Sequence, residues 1–359
     1  MKTKKQATTG TESQTNPPVK EKNAWWTKAL IVCVVAIAFF GVVLSGAVGY
    51  FRLSVHPYYK ASEKAFVIPD LDEEFVPQGM QYDERENCFF ITGYNATGAA
   101  SPVYMVDKAS GKTLKKVLLL QEDGTAFTGH AGGIGVYGEY VYVAGGDEKC
   151  LYAYAYSEIL AAEQGAGVRC KGVFSTATSE TDYVDVSFIA VHGDKIVVGE
   201  FYREQNYPTL PSHKITTSGG DYNQALALEF ALSATAPLGI DPIPCKAYSI
   251  TDQVQGMCFF GDTVYLSTSY GLAFSHILAY DAAKLTKEAS ITVLGTEVAL
   301  YSLDRVSLVR DYKIAPMSEE VDVVDGKLYV MCESASDKYI FGKLTGGRWC
   351  YKTALSEMK

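Results

Sequence analysis

The chain contains 359 residues, of which 48% are hydrophobic, 12% aromatic and 20% charged. The many tyrosines and the low charged fraction favour a β-rich globular body. The formal net charge of −9 argues against nucleic acid as a partner and against docking to anionic lipid.

Residues 1–28 differ from the rest of the chain. They are polar, rich in lysine and without apolar periodicity, so we predict a disordered tail. Residues 29–50 then form an uncharged apolar run whose length, at about 1.5 Å per residue, matches a hydrocarbon core of about 30 Å. Trp25 and Trp26 precede this run, and Phe51 follows it, where interfacial aromatic residues belong.

The lysines of the tail all precede the apolar run, so the positive-inside rule places the N-terminus in the cytoplasm. A cleaved signal peptide is the alternative, but the run exceeds the usual apolar region of about 7–15 residues, and Ala47-Val48-Gly49 is a poor cleavage site. We therefore predict a single-pass anchor at 29–51 in the cell membrane, a linker at 52–64, and an extracytoplasmic domain at 65–359.

Cys33 lies within the apolar run, which leaves seven of the eight cysteines outside it. Their spacings match no zinc pattern, and an extracytoplasmic location permits disulfide bonds. Cys150 and Cys170 flank a predicted hairpin, which makes them the best candidate for one bridge. Because seven is odd, at least one thiol stays free or pairs between chains.

The domain repeats one supersecondary unit five times. Each unit has an apolar strand, a tight turn such as Gly-Asp or Asp-Gly, and a second strand of β-branched and aromatic residues. The units begin at Pro77, Ala131, Val186, Val254 and Ser318. A third strand follows most of these hairpins, and a fourth follows several.

Four antiparallel strands repeated at this spacing predict a β-propeller. We predict five four-stranded blades, with residues 64–70 supplying the outer strand of the last blade and so closing the ring. A six-bladed ring is the alternative, and it requires a unit hidden in the long third or fourth repeat. A β-sandwich is less favoured, because sandwiches do not repeat a hairpin at this spacing.

Residues 103–112 (VYMVDKASGK) and 277–284 (ILAYDAAK) resemble segments of the YncE-like and NHL/SMP-30-like propeller superfamily. The resemblance covers most of 65–345 and implies the fold but hardly any function. Its members include lactonases and other metal-dependent hydrolases, quinoprotein-like enzymes, and scaffolds that bind ligands or proteins. The Glu/Asn/Asp ligand set of the calcium-dependent hydrolases cannot be placed on this sequence residue by residue.

Gly133 to Gly138 satisfy the pattern G-x-G-x-x-G, with His130 just upstream. A dinucleotide-binding turn must lie between a strand and a helix, whereas a second predicted strand follows here. We therefore interpret the pattern as a hairpin. Gly133 matches Gly79 and Gly256 as a repeat position where a side chain would crowd the narrow channel.

The start of the first strand of an antiparallel hairpin lies beside the end of the second strand, so both should gather around one end of the channel. The candidate ligand-binding residues at this face are Gln78, His130, Asp185, Glu200, Gln255, Glu319, Glu320 and Glu333, and Tyr94, Tyr202 and Tyr270 accompany them. Such a set could hold a cation through oxygen ligands, or a polar ligand between aromatic rings.

Simpler roles remain open for several of these residues. Glu319 and Glu320 could lie in a solvated loop, since charged side chains usually face water. Gln78 and Gln255 could satisfy backbone groups in the channel, and His130 could be structural or exposed.

The leading hypothesis is a membrane-anchored propeller that needs no cofactor and binds a polar ligand, a glycan or an envelope protein at its channel face. The alternative is a divalent-metal-dependent hydrolase or lactonase, with calcium as the expected ion. A purely architectural role in the envelope is a third reading. Nucleic acid is not an expected partner.

Overall fold

The computed structural model of the chain describes residue 10, residues 24–146 and residues 148–358. Most of the predicted disordered tail lies outside these residues. The described residues divide into two units, with the boundary between Ala47 and Val48. Two helices precede the sheets: α1 (Ala24–Ser54) and α2 (His56–Lys60).

Helix α1 carries the long apolar run. From Trp25 to Ser54 it is long and apolar enough to cross a membrane, and no other helix in the described part of the chain is. Its apolar side chains are largely exposed around the whole helix, as at Ile37 and Phe39. A helix that is apolar on every side suits a membrane rather than a protein surface. Length and composition are compatible with an anchor or with a signal sequence.

The chain beyond α2 is almost entirely β-structure. It opens with one strand, β1 (Ser62–Val67). Blade I consists of β2 (Phe75–Asp83), β3 (Cys88–Asn95), β4 (Pro102–Asp107) and β5 (Thr113–Leu120). Blade II consists of β6 (Ile134–Tyr137), β7 (Tyr140–Ala144), β8 (Cys150–Ala155) and β9 (Gly167–Ser175), with the short helix α3 (Tyr156–Ala161) before β9.

The third and fourth blades contain insertions. The hairpin β10 (Ala177–Ser179) and β11 (Asp182–Tyr183) precedes blade III. Blade III consists of β12 (Phe188–His192), β13 (Lys195–Gly199), β16 (Ala225–Leu232) and β17 (Ile240–Ile250), with β14 (Ile215–Thr216) and β15 (Tyr222–Asn223) inserted. Blade IV consists of β18 (Val254–Phe260), β19 (Thr263–Thr268), β20 (Ser275–Asp281) and β25 (Leu308–Ile314).

The insertion of blade IV holds β21 (Thr286–Lys287), β22 (Ile291–Val293), β23 (Thr296–Val298) and β24 (Leu300–Ser302). Blade V consists of β26 (Ser318–Val324), β27 (Lys327–Cys332), β28 (Trp349–Thr353) and the N-terminal strand β1. Single 3₁₀ turns lie at Pro211–His213, Pro237–Gly239, Ala282–Lys284, Gly342–Thr345 and Leu355–Glu357.

The five inner strands, β2, β6, β12, β18 and β26, contact one another in that order, and β26 contacts β2. The sheets therefore form a closed five-bladed propeller, and the predicted fold is confirmed. The six-bladed alternative is wrong. The extra length of the third and fourth repeats lies in the insertions between β13 and β16 and between β20 and β25 rather than in another blade.

The ring is closed by strand β1. It pairs antiparallel with β28, from Ser62 opposite Thr353 to Val67 opposite Trp349, as the sequence predicted. The Ser62 and Thr353 hydroxyl oxygens lie 2.8 Å apart, which adds a side-chain hydrogen bond to the ladder. A strand from one end of the chain thus completes a blade built from the other end, as the outermost of its four strands.

The middle of the channel, which we call the packed layer, brings the inner strands into close contact. A Cβ atom on Gly79 would lie 2.6 Å from the backbone nitrogen of Ile134, and one on Gly133 would lie 2.4 Å from that of Ile189. Both distances are far shorter than any ordinary contact. Glycine is therefore required because the next blade fills the space of a side chain.

Polar side chains join neighbouring blades within the packed layer. Gln81 Oε1 accepts from the backbone N–H of Val136 at 2.7 Å, and Asp322 Oδ2 accepts from that of Tyr82 at 2.8 Å. Inner strands have unpaired edges facing the channel, and buried backbone N–H groups need acceptors. These side chains provide them.

The predicted disulfide between Cys150 and Cys170 is wrong. Both thiols are free and buried. Cys150 lies opposite Ser175 in the β8–β9 ladder, whereas Cys170 lies opposite Tyr154. At about 3.3 Å per residue this offset separates the two Cα atoms by far more than the roughly 7 Å that a disulfide can bridge.

Candidate functional site

The channel opens into a cavity of about 670 Å³ at the end where the inner strands begin, which we call the channel mouth. Its floor includes Gln78, His130, Asp185 and Gln255, which stand before or at the start of inner strands. Its walls come from the loops that follow the second strand of each blade, among them the loop that begins at Glu333. The antiparallel hairpins thus bring both predicted sets of residues to one end of the channel.

A chain of hydrogen bonds crosses the floor of this cavity. His130 Nε2 lies 2.6 Å from Gln78 Oε1, and Gln78 Nε2 donates to Glu333 Oε2 at 3.0 Å. The Tyr339 hydroxyl donates to the same Glu333 oxygen at 3.0 Å. The network joins blades I, II and V through side chains alone, so its members can exchange partners without breaking a sheet.

Aromatic rings and a lysine cover part of this network. Tyr94 stacks on His130 with ring centroids 4.6 Å apart. Lys338 Nζ lies 4.7 Å from the centroid of Tyr94 and 5.2 Å from that of Tyr339. Both contacts are in the range of cation–π attraction. The wall beside blade V is therefore aromatic and cationic, above an acidic floor.

Two buried carboxyl groups lie under the cavity. Gln255 Nε2 donates to Glu319 Oε1 at 3.3 Å. Burial, followed by the nearby charge of Glu333, raises the pKa of Glu319 well above its usual range. Burial also raises the pKa of Glu333, to about 7. Burial disfavours the charged form of both groups, and the charge of Glu333 adds to this effect at Glu319, so both carboxyl groups hold their protons to higher pH than exposed ones do.

Glu320 is separated from the cavity although it is next to Glu319. Its Oε1 accepts from the backbone N–H of Met257 at 3.0 Å, and the side chain fills the space beside Gly256. Successive residues of a strand point to opposite sides, so one glutamate faces the mouth and the other faces the next blade. Glu320 belongs to the packed layer.

Glu200 is also removed from the cavity. Both of its carboxyl oxygens face His213 Nδ1, at 2.9 and 3.0 Å, and Oε2 accepts from the backbone N–H of Leu226 at 2.9 Å. Glu200 and His213 are both almost fully buried. This pair holds the start of the blade III insertion in place. Glu200 does not line the cavity, although the sequence analysis placed it among the ligand-binding residues. Tyr202, predicted beside it, is buried as well.

The cavity also contains residues that the repeat pattern missed. Tyr183 ends strand β11, and the others lie on loops: Lys149, Phe201, Asn206, Tyr207, Lys338 and Tyr339. Tyr270, which the pattern did predict, lies under Arg203 with the guanidinium carbon 3.9 Å from the ring centroid. The only signal in the sequence was the abundance of tyrosine in segments that follow second strands.

The calcium alternative requires several convergent oxygen ligands. Among residues 24–146 and 148–358 no three His, Cys, Asp or Glu side chains are grouped so that they could hold a metal ion. Gln78 and Gln255 also turn their NH₂ groups toward Glu333 and Glu319 and so act as donors. As arranged, these residues satisfy one another and do not fit a calcium cage.

Neither a comparison with protein-family models nor one with curated proteins found a match. Solved structures resemble the chain at 10–12% identity. Glutaminyl cyclase from Myxococcus xanthus aligns over 78% of this chain and 90% of its own, with a TM-score of 0.40 and 11% identity. PQQ-bound aldose sugar dehydrogenase from Streptomyces coelicolor aligns over 81% and 95%, with a TM-score of 0.45 and 11% identity.

Regucalcin from Agrobacterium tumefaciens, described as a calcium-binding protein, aligns over 81% of this chain and 93% of its own, with a TM-score of 0.40 and 10% identity. These likenesses say nothing of what this chain binds.

Proposed function

We propose that the chain is a membrane-anchored β-propeller, with its N-terminus in the cytoplasm and its propeller outside, that binds a small saccharide at the channel mouth. This function is supported by one observation: a single cavity of about 670 Å³ has both a polar hydrogen-bond network on its floor and aromatic rings in its wall. That volume is in the range of small-molecule sites.

The floor suits hydroxyl groups. Glu333 lines the cavity, and burial raises its pKa to about 7, so its carboxyl group can donate or accept a hydrogen bond near neutral pH. Gln78 and His130 add further hydrogen-bonding groups across the cavity floor. A saccharide hydroxyl both donates and accepts, and it can replace one of the side-chain partners without leaving a buried group unsatisfied.

The wall suits the carbon face of a sugar ring. Tyr94 and Tyr270 expose ring surface to the cavity from opposite sides of the mouth, on blades I and IV. Aromatic side chains supply apolar contact area at little entropic cost. A ligand with a polar edge and an apolar face, which is the form of a pyranose, matches this division of the cavity.

Tyr270→Ala tests the proposal in the full-length chain reconstituted in nanodiscs. A panel of mono- and disaccharides is titrated by isothermal calorimetry to find a ligand of the wild type. Loss of the ring should weaken its binding by about tenfold, corresponding to 1–2 kcal/mol of apolar and stacking contact.

Tyr222→Ala is the matched control, because Tyr222 is an exposed tyrosine of the blade III insertion that does not line the cavity. Its affinity should equal that of the wild type. The proposal is abandoned if no saccharide of the panel binds the wild type, or if the two variants lose affinity equally.

A further inference from the structure

The residues at the end of the apolar run pack against a channel-mouth loop of blade IV. The ring of Tyr50 lies 5.6 Å from that of Phe274, and the ring of Phe51 lies 6.0 Å from it. Phe274 ends the loop between β19 and β20, and the same loop places Tyr270 and Gly271 at the cavity. The chain therefore leaves its apolar run beside the channel mouth.

A second contact involves the neighbouring loop of blade V, between β27 and β28. The Arg52 guanidinium lies over the Tyr59 ring at 4.8 Å, and the Tyr59 hydroxyl donates to the carbonyl of Thr345 at 2.7 Å. Arg52 also lies against Gly346, where an added Cβ would come within 2.7 Å of Nη2. This loop carries Lys338 and Tyr339 into the cavity wall.

The segment that follows is fixed to the propeller. Val55 and Tyr58 are fully buried in the core between blades IV and V, among residues such as Ile314 and Val330. β1 then begins at the end of blade V far from the mouth, since Ser62 pairs with the last residue of β28, and rises toward the mouth. Residues 50–61 thus descend from the mouth along one crevice, so the attachment point is set by packing.

The same two loops expose large apolar side chains. Leu272 is 42% exposed, Ile340 78% and Phe341 68%. Lys313 Nζ lies 3.9 Å from the centroid of the Phe274 ring beside them. Exposed apolar tips with lysines alongside are typical of segments that enter the headgroup region of a bilayer.

We infer that the channel-mouth face of the propeller lies against the bilayer in which α1 ends, with the tips of loops 269–274 and 333–348 in the headgroup region. The cavity then opens toward the membrane surface and takes a saccharide carried on a lipid headgroup. This inference rests on the proposed function for the anchor and for the ligand class, and on the contacts of residues 50–61 for the orientation.

The orientation is tested with an environment-sensitive NBD label on single cysteines of the full-length chain. Cys33 and Cys245, the two exposed cysteines, are first replaced by Cys33→Ala and Cys245→Ser. The label is then placed by Ile340→Cys and, independently, by Leu272→Cys. Phe260→Cys is the control, because Phe260 is 49% exposed and ends β18 at the face opposite the mouth.

In phosphatidylcholine nanodiscs containing nitroxide-labelled lipid, we expect quenching at positions 340 and 272 to exceed that at 260 by roughly threefold or more. Equal quenching at the three positions, or stronger quenching at 260, overturns the inference. The two labelled positions lie on separate loops, so a local folding defect in one variant would not affect the result from the other.

Separate measurements distinguish failure of the proposed function from failure of this inference. Flotation of the full-length chain with vesicles tests the anchor, and calorimetry with saccharides in detergent tests the cavity. A chain that floats and binds saccharide, but shows no difference in quenching, contradicts only the orientation.

Discussion

The channel mouth and the packed layer lie within three residues of each other on β2 and on β26, yet their polar groups bond differently. In the packed layer Gln81, Asp322 and Glu320 accept from backbone N–H groups of the neighbouring blade. At the mouth Gln78 and Glu333 bond to side chains of other blades, and Gln78 Nε2 also donates to the carbonyl of Pro77 at 2.8 Å. The contrast is sharpest between Glu319 and Glu320, which are adjacent and have different partners.

This difference distinguishes polar side chains that stabilise the fold from polar side chains that are available to a ligand. A backbone N–H cannot move away from its acceptor without displacing a strand, so the groups of the packed layer hold the ring together. Side chains at the mouth can rotate, and a ligand can take the place of one partner. Identical residue types therefore have different roles because their partners differ in mobility.

The largest effect should come from closing the space between blades. Gly133→Ala places a Cβ 2.4 Å from the backbone nitrogen of Ile189, so the inner strand of blade III has to move. Overpacking against backbone costs about 3 kcal/mol or more. We expect a large fall in the free energy of unfolding, measured by chemical denaturation of the full-length chain in detergent.

Gly138→Ala is the control within the same G-x-G-x-x-G pattern. Gly138 has a φ of 55° and no atom within 4 Å of an added Cβ, so alanine costs only the left-handed backbone, about 1 kcal/mol. If the two variants prove equally stable, the glycine of the packed layer is not required by the next blade.

The second effect concerns the mouth and its pH dependence. Burial raises the pKa of Glu333 to about 7 from an ordinary 4.5, so the folded chain binds the extra proton between those values. Stabilisation from the protonated form is complete below about pH 4.5 and is lost as the pH rises through 7, by about 3 kcal/mol. Glu319, whose pKa is also raised by burial, acts in the same direction.

Glu333→Gln should flatten this dependence, because the amide keeps the shape of the acid and does not titrate. Thermal unfolding of wild type and variant between pH 5 and 8 checks this prediction, because that range contains the raised pKa of Glu333. The assignment of the buried proton to this pair is rejected if the melting temperature of the variant falls with pH as steeply as that of the wild type.

The smallest effect on stability should follow His130→Ala. The side chain of His130 is exposed at the mouth, so we expect the melting temperature to change by no more than about 2 °C. Saccharide affinity should fall several-fold, because the Gln78 amide loses the partner that orients it. His276→Ala, at an exposed histidine paired with Asp311 on blade IV, should change neither quantity.

The fold could be predicted from the sequence because a propeller repeats its pattern. Turn residues such as Gly261-Asp262 mark each hairpin, and five such units fix the number of inner strands. Closure by the N-terminal strand was also predictable, since residues 64–70 form a strand with no blade of their own. The two insertions obscured the blade count because they lengthen repeats without altering the hairpins.

The site could be predicted only in part. Strand ends placed Gln78, His130 and Gln255 at the mouth, because register follows from the hairpins. The pairing of Glu200 with His213 could not be predicted, since it depends on how a long insertion folds back. Tyr339 and Lys338 were missed for the same reason, and Cys150 and Cys170 were misassigned because a hairpin does not reveal its register.

The seam between β1 and β28 has a consequence for assembly. Ser62 and Thr353 are partners 291 positions apart, so β1 emerges from the ribosome long before the strand it pairs with. Until β28 has been synthesised, β1 has no partner strand. Closure of the ring is thus a late event with a high loop-closure cost.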